Sequence, residues 1–410
     1  MKYNKIIDNY FLIIFSIIPI SIILGPSISL VNILLINLSF ILLIFFHIKD
    51  FSFLKSEPVK YFSLLYIYLI LNSLISLDQS IGFARNFGFI RIIIFFIALN
   101  YFFKNKLFYQ KVFLFWSITI FFVLIDVFLE SFSGQNILGY GSNYGKRIVS
   151  FFKDEPIVGG YLNAFYLILI GYLNFKFKNK YVNVITLIAV IYFLAIFLTG
   201  ERSNTIRAFM AITFFYIFFK EYKLKHKLIL FLISLMIVFI AISNSTWLKT
   251  RYVDQIKVSL TSDSKKIYLN LYKSGYEVFK NYPVFGVGNK NYRVVACGQI
   301  DNEKLKKDNI LCNTHPHKIY FEFLSEHGLI GLIFLMFIFY KLILSKILHN
   351  FRNINYIQFG ASIYILFIFT PLLPSGAFFS DYSLTLLVLN IAIFYAVNKK
   401  FNIFSISQKK

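Results

Sequence analysis

Residues 27–47 read SISLVNILLINLSFILLIFFH, without a single Asp, Glu, Lys or Arg. Crossing about 30 Å of hydrocarbon takes a helix of roughly 20 apolar residues, and this stretch supplies one. Comparable stretches flank it on both sides, at approximately 8–25, 61–77, 86–103, 112–131, 157–175, 182–199, 203–219, 228–244, 319–340, 356–374 and 381–397. The expected fold is therefore an all-α polytopic membrane protein with about twelve transmembrane helices. The 410-residue chain is 58% hydrophobic and 15% charged, a composition from which a soluble exterior cannot be built. The first stretch follows Lys2 and Lys5 in the manner of a signal peptide. It lacks a small-residue cleavage site, and a second apolar stretch comes at once, so it reads as a retained helix.

The formal net charge of +23 invites a nucleic-acid reading, which the placement of the charges argues against. Lys49, Lys55 and Lys60 share one connection, Lys104, Lys106 and Lys111 another, and Lys176, Lys178 and Lys180 a third. Lys220, Lys223, Lys225 and Lys227, then Lys341, Lys346 and Arg352, then the tail Lys399, Lys400, Lys409 and Lys410 complete the set. Alternate threading of the spans puts all of these on one side. The opposite connections, near Pro26, Asp78–Arg85, Gly200–Asn204 and Ser375–Asp381, hold almost no lysine. The positive-inside rule then gives an even number of spans, both termini in the cytoplasm, and no nucleic-acid partner.

Two opposite-side segments are long. Phe132–Glu155 joins spans five and six, and Ser245–Lys318 joins spans nine and ten. The chain divides into 1–244 (nine spans, with the loop at 132–155), the large loop 245–318, and 319–410 (three spans and a cytoplasmic tail). A long insertion between tightly spaced helices usually carries function. The large loop holds both cysteines, Cys297 and Cys312, which on an oxidising side of the membrane can form a disulfide; two independent thiols are the other reading.

Three constellations sit on that side. Asn313-Thr314-His315-Pro316-His317-Lys318 leads into span ten. Pro316 suits the first position of a helix, so Thr314 or His315 is expected to cap and His317 to lie in the first turn. The positive end of the helix dipole would keep His317 neutral, as a general base for a hydroxyl group requires. No Asp, Glu or Cys nearby completes a familiar ligand set, so the pair is not read as a metal site. Gly200-Glu201-Arg202-Ser203-Asn204 opens span eight, where an arginine beside a helix N-terminus suits a phosphate, and a local Glu201–Arg202 pair is the bland alternative. Arg207, one turn deeper, is an ionisable residue within a span and suspect by default. Lys146-Arg147 and Lys153-Asp154-Glu155-Pro156 gather at the mouth of span six. In the large loop, Tyr268–Lys280 reads as an amphipathic helix before Pro283-Val284-Phe285-Gly286-Val287-Gly288, a turn without the Gly-Lys-Ser/Thr ending of a phosphate loop.

The segments Pro283–Gly288, Thr314–Phe321 and Glu326-His327-Gly328-Leu329-Ile330-Gly331 together resemble the pattern of the O-antigen ligase and O-antigen polymerase superfamily. Gly200–Ser203 looks like that family's arginine at a helix mouth, and Arg147–Leu162 resembles its polymerase-type members. The resemblance implies a GT-C-like membrane glycosyltransferase, acting without metal or cofactor. The donor would be a glycan on undecaprenyl pyrophosphate. Arg202, with Arg147 and the carboxylates Glu201, Asp154 and Glu155 beside them, matches the family's pyrophosphate end, and His317, with His315 adjacent, matches its acceptor-activating histidine. Two positions depart from the pattern: Lys318 stands where Asn is common, and Tyr268 where many members have Arg. Arg251, Lys266 and Arg293 are then the candidates for a second pyrophosphate contact.

The expected activity is that of a surface-polysaccharide polymerase at the periplasmic face of a bacterial inner membrane. Its partners would be membrane lipid, an acceptor glycan and, as a further candidate, a chain-length regulator. A ligase delivering finished glycan to lipid A core or to protein would use the same site. A transporter or flippase fits the span count, but its binding residues would lie near the midplane within repeated halves, and no internal repeat is visible.

Overall fold

The computed structural model describes residues 5–48, 51–141, 145–177, 180–218, 223–261, 267–298, 311–350, 355–371 and 373–406, and among these every regular element is helical. The first half comprises α1 (Lys5–Ser16), α2 (Ile18–Leu24), α3 (Pro26–His47), α4 (Glu57–Leu74), α5 (Gln79–Phe87), α6 (Ile90–Phe103), α7 (Lys106–Ser133), α8 (Val158–Phe177) and α9 (Val182–Leu198). Then come α10 (Arg202–Ile217), α11 (Leu224–Asn244), the short α12 (Thr246–Lys249) and α13 (Gln255–Thr261), α14 (Ile267–Asn281) and α15 (Tyr292–Ala296). The chain closes with α16 (Ile319–Phe339), α17 (Ser345–Asn350), α18 (Tyr356–Ile368), α19 (Asp381–Ala396) and α20 (Ile403–Ile406).

Helix occupies each of the apolar stretches read from the sequence. By length and composition, six helical segments among the described residues can cross a membrane, and the α1–α2 pair, bent by 41°, makes a seventh. Helices α9, α18 and α19 are apolar but shorter. At 13 residues, α18 covers only about 20 Å at 1.5 Å per residue. Charged residues dilute the ends of two others, Glu57 and Lys60 in α4 and Arg202 and Arg207 in α10.

The centre of the bundle is α6, α8, α18 and α19. In α8, 83% of the apolar window is buried, against 6% in α11, which therefore presents nearly its whole surface outward. The α8–α18 crossing is close because two glycines make it so: a Cβ on Gly171 would overlap the Tyr356 backbone, and one on Gly360 the Leu167 carbonyl. Small residues at such a crossing let helix backbones approach where no hydrophobic effect drives them together.

The amphipathic helix of the large loop is α14. It turns Leu271, Tyr272, Ser274, Gly275 and Val278 inward, and Tyr272 stacks on Phe321 of α16 at 5.4 Å. The turn after it is part of a lock. Helix α16 opens at Gly328 (φ 66°, ψ −165°), which frees backbone groups in its middle. The Pro283–Gly288 turn takes them up: Val287 and Gly288 N–H donate to the Ser325 and Glu326 carbonyls at 2.9 and 2.8 Å, and Leu329 and Ile330 N–H donate to the Pro283 and Val284 carbonyls at 2.8 and 3.3 Å. Tyr68 Oη donates to the His327 carbonyl at 3.2 Å. Non-helical backbone at membrane depth persists only when satisfied in this way by protein. His327 is fully buried among Phe323, Phe379 and Tyr68.

Cys297 and Cys312 are joined by a disulfide spanning 15 residues. For a loop of that length the chain-entropy model gives roughly 3 kcal/mol of stabilisation. We expect Cys297→Ser to leave the membrane bundle intact but sensitise the large loop to protease. Unchanged digestion of the variant in membranes would show that the bridge contributes little.

Candidate functional site

Connections that alternate threading assigns to one side of the bundle converge on a cavity of about 400 Å³. Arg147 enters it from the α7–α8 connection, Glu201 and Arg202 from the start of α10, Arg251 and Tyr268 from the large loop, His317 from before α16, and Ser375, Gly376 and Ser380 from the α18–α19 connection. Deeper, between α8, α10, α18 and α19, the lining turns apolar with Leu167, Ala211, Phe367, Ile368 and Leu386. A cationic mouth over an apolar cleft fits an anionic headgroup on a lipid tail.

Arg147 is placed by two carboxylates on the last turns of α7. Glu130 accepts from Val149 and Ser150 N–H at 2.9 and 2.6 Å, and Asp126 accepts from Ser150 Oγ at 2.5 Å and Ile137 N–H at 2.8 Å. The loop so pinned lets the Arg147 guanidinium donate to the Pro156 carbonyl at 3.1 Å, while its buried Nε has no hydrogen-bond partner among the described residues.

Glu201 is the sole carboxylate among the described lining residues. It does not pair with Arg202. Its oxygens accept from Gly159 and Gly160 N–H, at 2.6 and 3.2 Å, and from Asn204 Nδ2 at 2.7 Å, so it fills the N-terminus of α8 and ties that helix to α10. Burial raises its pKa above the usual carboxylate value against these hydrogen bonds and the nearby Arg147. Neither Ser203 nor Asn204 caps α10; Glu201 occupies the N-cap position without a capping side-chain bond. Arg202, the first residue of α10, is half-buried at the cavity. Arg251 Nε donates to the Gly200 carbonyl at 2.8 Å, and burial, then Arg202 and Arg147, lowers its pKa to about 10. Three mutually repelling guanidinium groups at one mouth make a site for a multiply charged anion.

The histidines sit differently from the expectation. Helix α16 starts at Ile319, so His317 precedes it, and its N-cap position is Lys318, with no side-chain cap from Thr314 or His315. The cause is backbone conformation: His317 has φ 56°, which reverses the chain after Pro316 and delays the helix. Ser375 holds this turn, its N–H donating to the His317 carbonyl at 2.9 Å and its Oγ accepting from Ile319 N–H at 3.1 Å. His317 is neutral as expected, but burial, then the adjacent His315, lowers its pKa to about 4, not the helix dipole. His315 packs against it at a tilt of 42°, ring centres 4.0 Å apart. Burial, then Lys290, also takes His315 to about 4, and its Nδ1 meets Thr314 Oγ1 at 3.0 Å.

Below them, cations meet backbone carbonyls at the end of α18. Arg207 donates to the Phe367 and Pro374 carbonyls at 3.1 and 2.7 Å. Lys318 Nζ donates to Thr370 and, at 3.0 Å, to Leu373, and burial, then Arg207, lowers its pKa to about 8.

The cavity thus brings together Arg147, Glu201, Arg202, Arg207, Arg251 and His317, with His315 packed at a tilt behind. Asp154 and Glu155 are exposed and do not line it. Arg293 lines a separate shallow depression beside the disulfide, and Lys266 lies outside the described residues. Among the described residues no group of three or more His, Cys, Asp or Glu is placed to hold a metal. Sequence reasoning missed Asp126, Glu130 and Ser375. Two carboxylates four residues apart within a span were a signal for the first pair; nothing local marks Ser375.

Fold and site define a polytopic helical membrane protein with a cationic, histidine-bearing pocket above an apolar cleft. Residues 187–336 match the family model described as O-antigen ligase, which supports the O-antigen ligase and polymerase family for this chain. The match runs from α9 into α16 and takes in Arg202, Arg251, His315 and His317. No curated protein matches the chain. Members of the family are membrane glycosyltransferase-like enzymes, and lipid-linked glycans are the substrates it implies.

Proposed function

We propose that the protein is an inner-membrane polysaccharide polymerase, with about twelve crossings, both termini cytoplasmic and the cavity periplasmic. The observation that carries the reading is the pairing, across one cavity, of a neutral imidazole with three arginines at the mouth and Arg207 deeper, while their carboxylate neighbour among the described lining residues, Glu201, has its oxygens occupied. The donor, a glycan on undecaprenyl pyrophosphate, places its pyrophosphate between Arg147, Arg202 and Arg251 and its tail in the apolar cleft. An acceptor sugar hydroxyl lies against His317. Its oxygen bonds to the anomeric carbon as the bond from that carbon to the pyrophosphate oxygen breaks. The pyrophosphate leaves with the electron pair, still on its lipid, and the hydroxyl proton passes to His317. Attack opposite the leaving group inverts the anomeric centre. The scheme uses no metal.

A ligase transferring finished glycan to lipid A core is the second reading, and the description of the matching family model favours it. The polymerase reading rests on the likeness of Arg147–Leu162 to polymerase-type members, of which Arg147 reaches the cavity while Asp154 and Glu155 stay outside it. The surface-glycan profile of a deletion strain separates the two. Core bearing a single repeat is the expected result; bare core with long glycan left on the lipid carrier would make the protein a ligase. An unaltered profile would remove both readings.

A further inference from the structure

The large loop that brings Arg251 to the cavity also brings an aromatic ring to which glycosyl transfer at His317 assigns no task. Tyr268, on the first turn of α14, lines the cavity and lies edge-on to His317, ring centres 5.9 Å apart at 75°. It is 43% exposed, although the rest of the inward face of α14 is packed against α16. Its hydroxyl makes no hydrogen bond among the described residues. Behind the histidine, Pro316 is backed by Gly275 of the same helix, where an added Cβ would come within 2.9 Å of the proline ring. Helix α14 therefore fixes both the tyrosine and the turn that holds the imidazole.

A group whose proton goes to His317 must approach the open side of that ring, because His315 crowds another at 4.0 Å and a 42° tilt. The ring it meets next is Tyr268. Pyranose rings have an apolar C–H face, and a Tyr offers a large apolar surface with a polar tip and few rotamers to freeze. We propose that Tyr268 is the platform on which the acceptor sugar packs, a specificity-determining residue that orients the attacking hydroxyl toward His317. The guanidinium groups serve the donor and the ring the acceptor, so the two substrates are recognised by different chemistry. This inference rests on the glycosyl-transfer reading of the same cavity.

The test uses the full chain in lipid nanodiscs, with the host's lipid-linked repeat as donor. The acceptor is an octyl glycoside of the same repeat, which has no pyrophosphate to lose, and lipid A core is run in parallel. For Tyr268→Ala we expect the acceptor KM to rise about tenfold, the upper end of what an aromatic pair contributes, with donor KM within about twofold of wild type. Tyr268→Phe and Tyr268→Trp, which keep a ring, should restore the acceptor KM. Equal rises in both KM values, or the same loss in Tyr268→Phe as in Tyr268→Ala, would overturn the platform in favour of a general structural role or a hydroxyl contact. An unchanged acceptor KM in Tyr268→Ala would overturn it outright. A wild type that transfers glycan to neither acceptor would instead sink the reading on which the inference stands.

Discussion

Replacing His317 by alanine is expected to slow glycan transfer by about 10²–10⁴-fold, the range contributed by a positioned general base, with donor binding retained. The imidazole is the sole neutral nitrogen base among the described lining residues, and Ser375 fixes its carbonyl and the chain that follows. The pH profile gives a second check. An unperturbed histidine has a pKa near 6.5, whereas burial and His315 take His317 to about 4. Lowering a base's pKa extends its neutral form to lower pH. The acid limb of kcat/KM, which reports the free enzyme, should therefore fall through about pH 4 and leave the rate flat across pH 6.5. The same depression costs fold stability as pH drops from about 6.5 toward 4, because the unfolded chain takes up the proton first. A limb at pH 6.5, or full transfer by His317→Ala in a complemented deletion strain, would falsify the assignment.

Gly328→Val should be the most damaging single change outside the cavity. Gly328 has φ 66° and ψ −165°, a region essentially closed to residues with a Cβ and costing about 1–3 kcal/mol in strain. The added atoms would also overlap the Val284 carbonyl, so the turn at Pro283–Gly288 could not stay docked. The displaced turn would leave its backbone bonds to α16 unmade, each worth about 0.5–1.5 kcal/mol and more when the freed group is buried. Protein level in membranes and protease cleavage near Pro283 are the readouts. Gly139→Ala is the control, since Gly139 shares a positive φ of 81° but has nothing within 4 Å of the added carbon. Equal behaviour of the two variants would mean that strain alone, and not the lock, matters.

Much of this architecture is legible in the chain because membrane helices announce themselves through composition. The helices, the amphipathic α14 and the cystine come from local patterns. Alternate threading puts Arg147, Arg202, Arg251 and His317 on one side of the bundle, and the fold brings them to one cavity. Three things are not local. The left-handed His317 depends on Ser375, some sixty residues on, and a Pro-His pair alone reads as a helix start. The opening of α16 depends on a turn roughly forty residues earlier, and without it Glu326-His327-Gly328 reads as continuous helix. Asp154 and Glu155 look like site residues by proximity to Arg147, yet Asp126 and Glu130 hold that loop from below and leave the other two in solvent. The Pro-Gly and His-Gly motifs thus mark a joint between loop and helix as much as a reacting centre.

Glu201 gives the cavity a sense of direction. Two helix beginnings, those of α8 and α10, stand side by side there, each with the partial positive charge that attracts anions. One socket is plugged by the protein's own carboxylate and the other, beside Arg202, is left without a capping side chain. On the glycosyl-transfer reading proposed above, an incoming anion has one berth instead of two, and the scissile bond a single register relative to the imidazole. The plug would then work as an alignment key, setting where a flexible lipid-borne substrate stops.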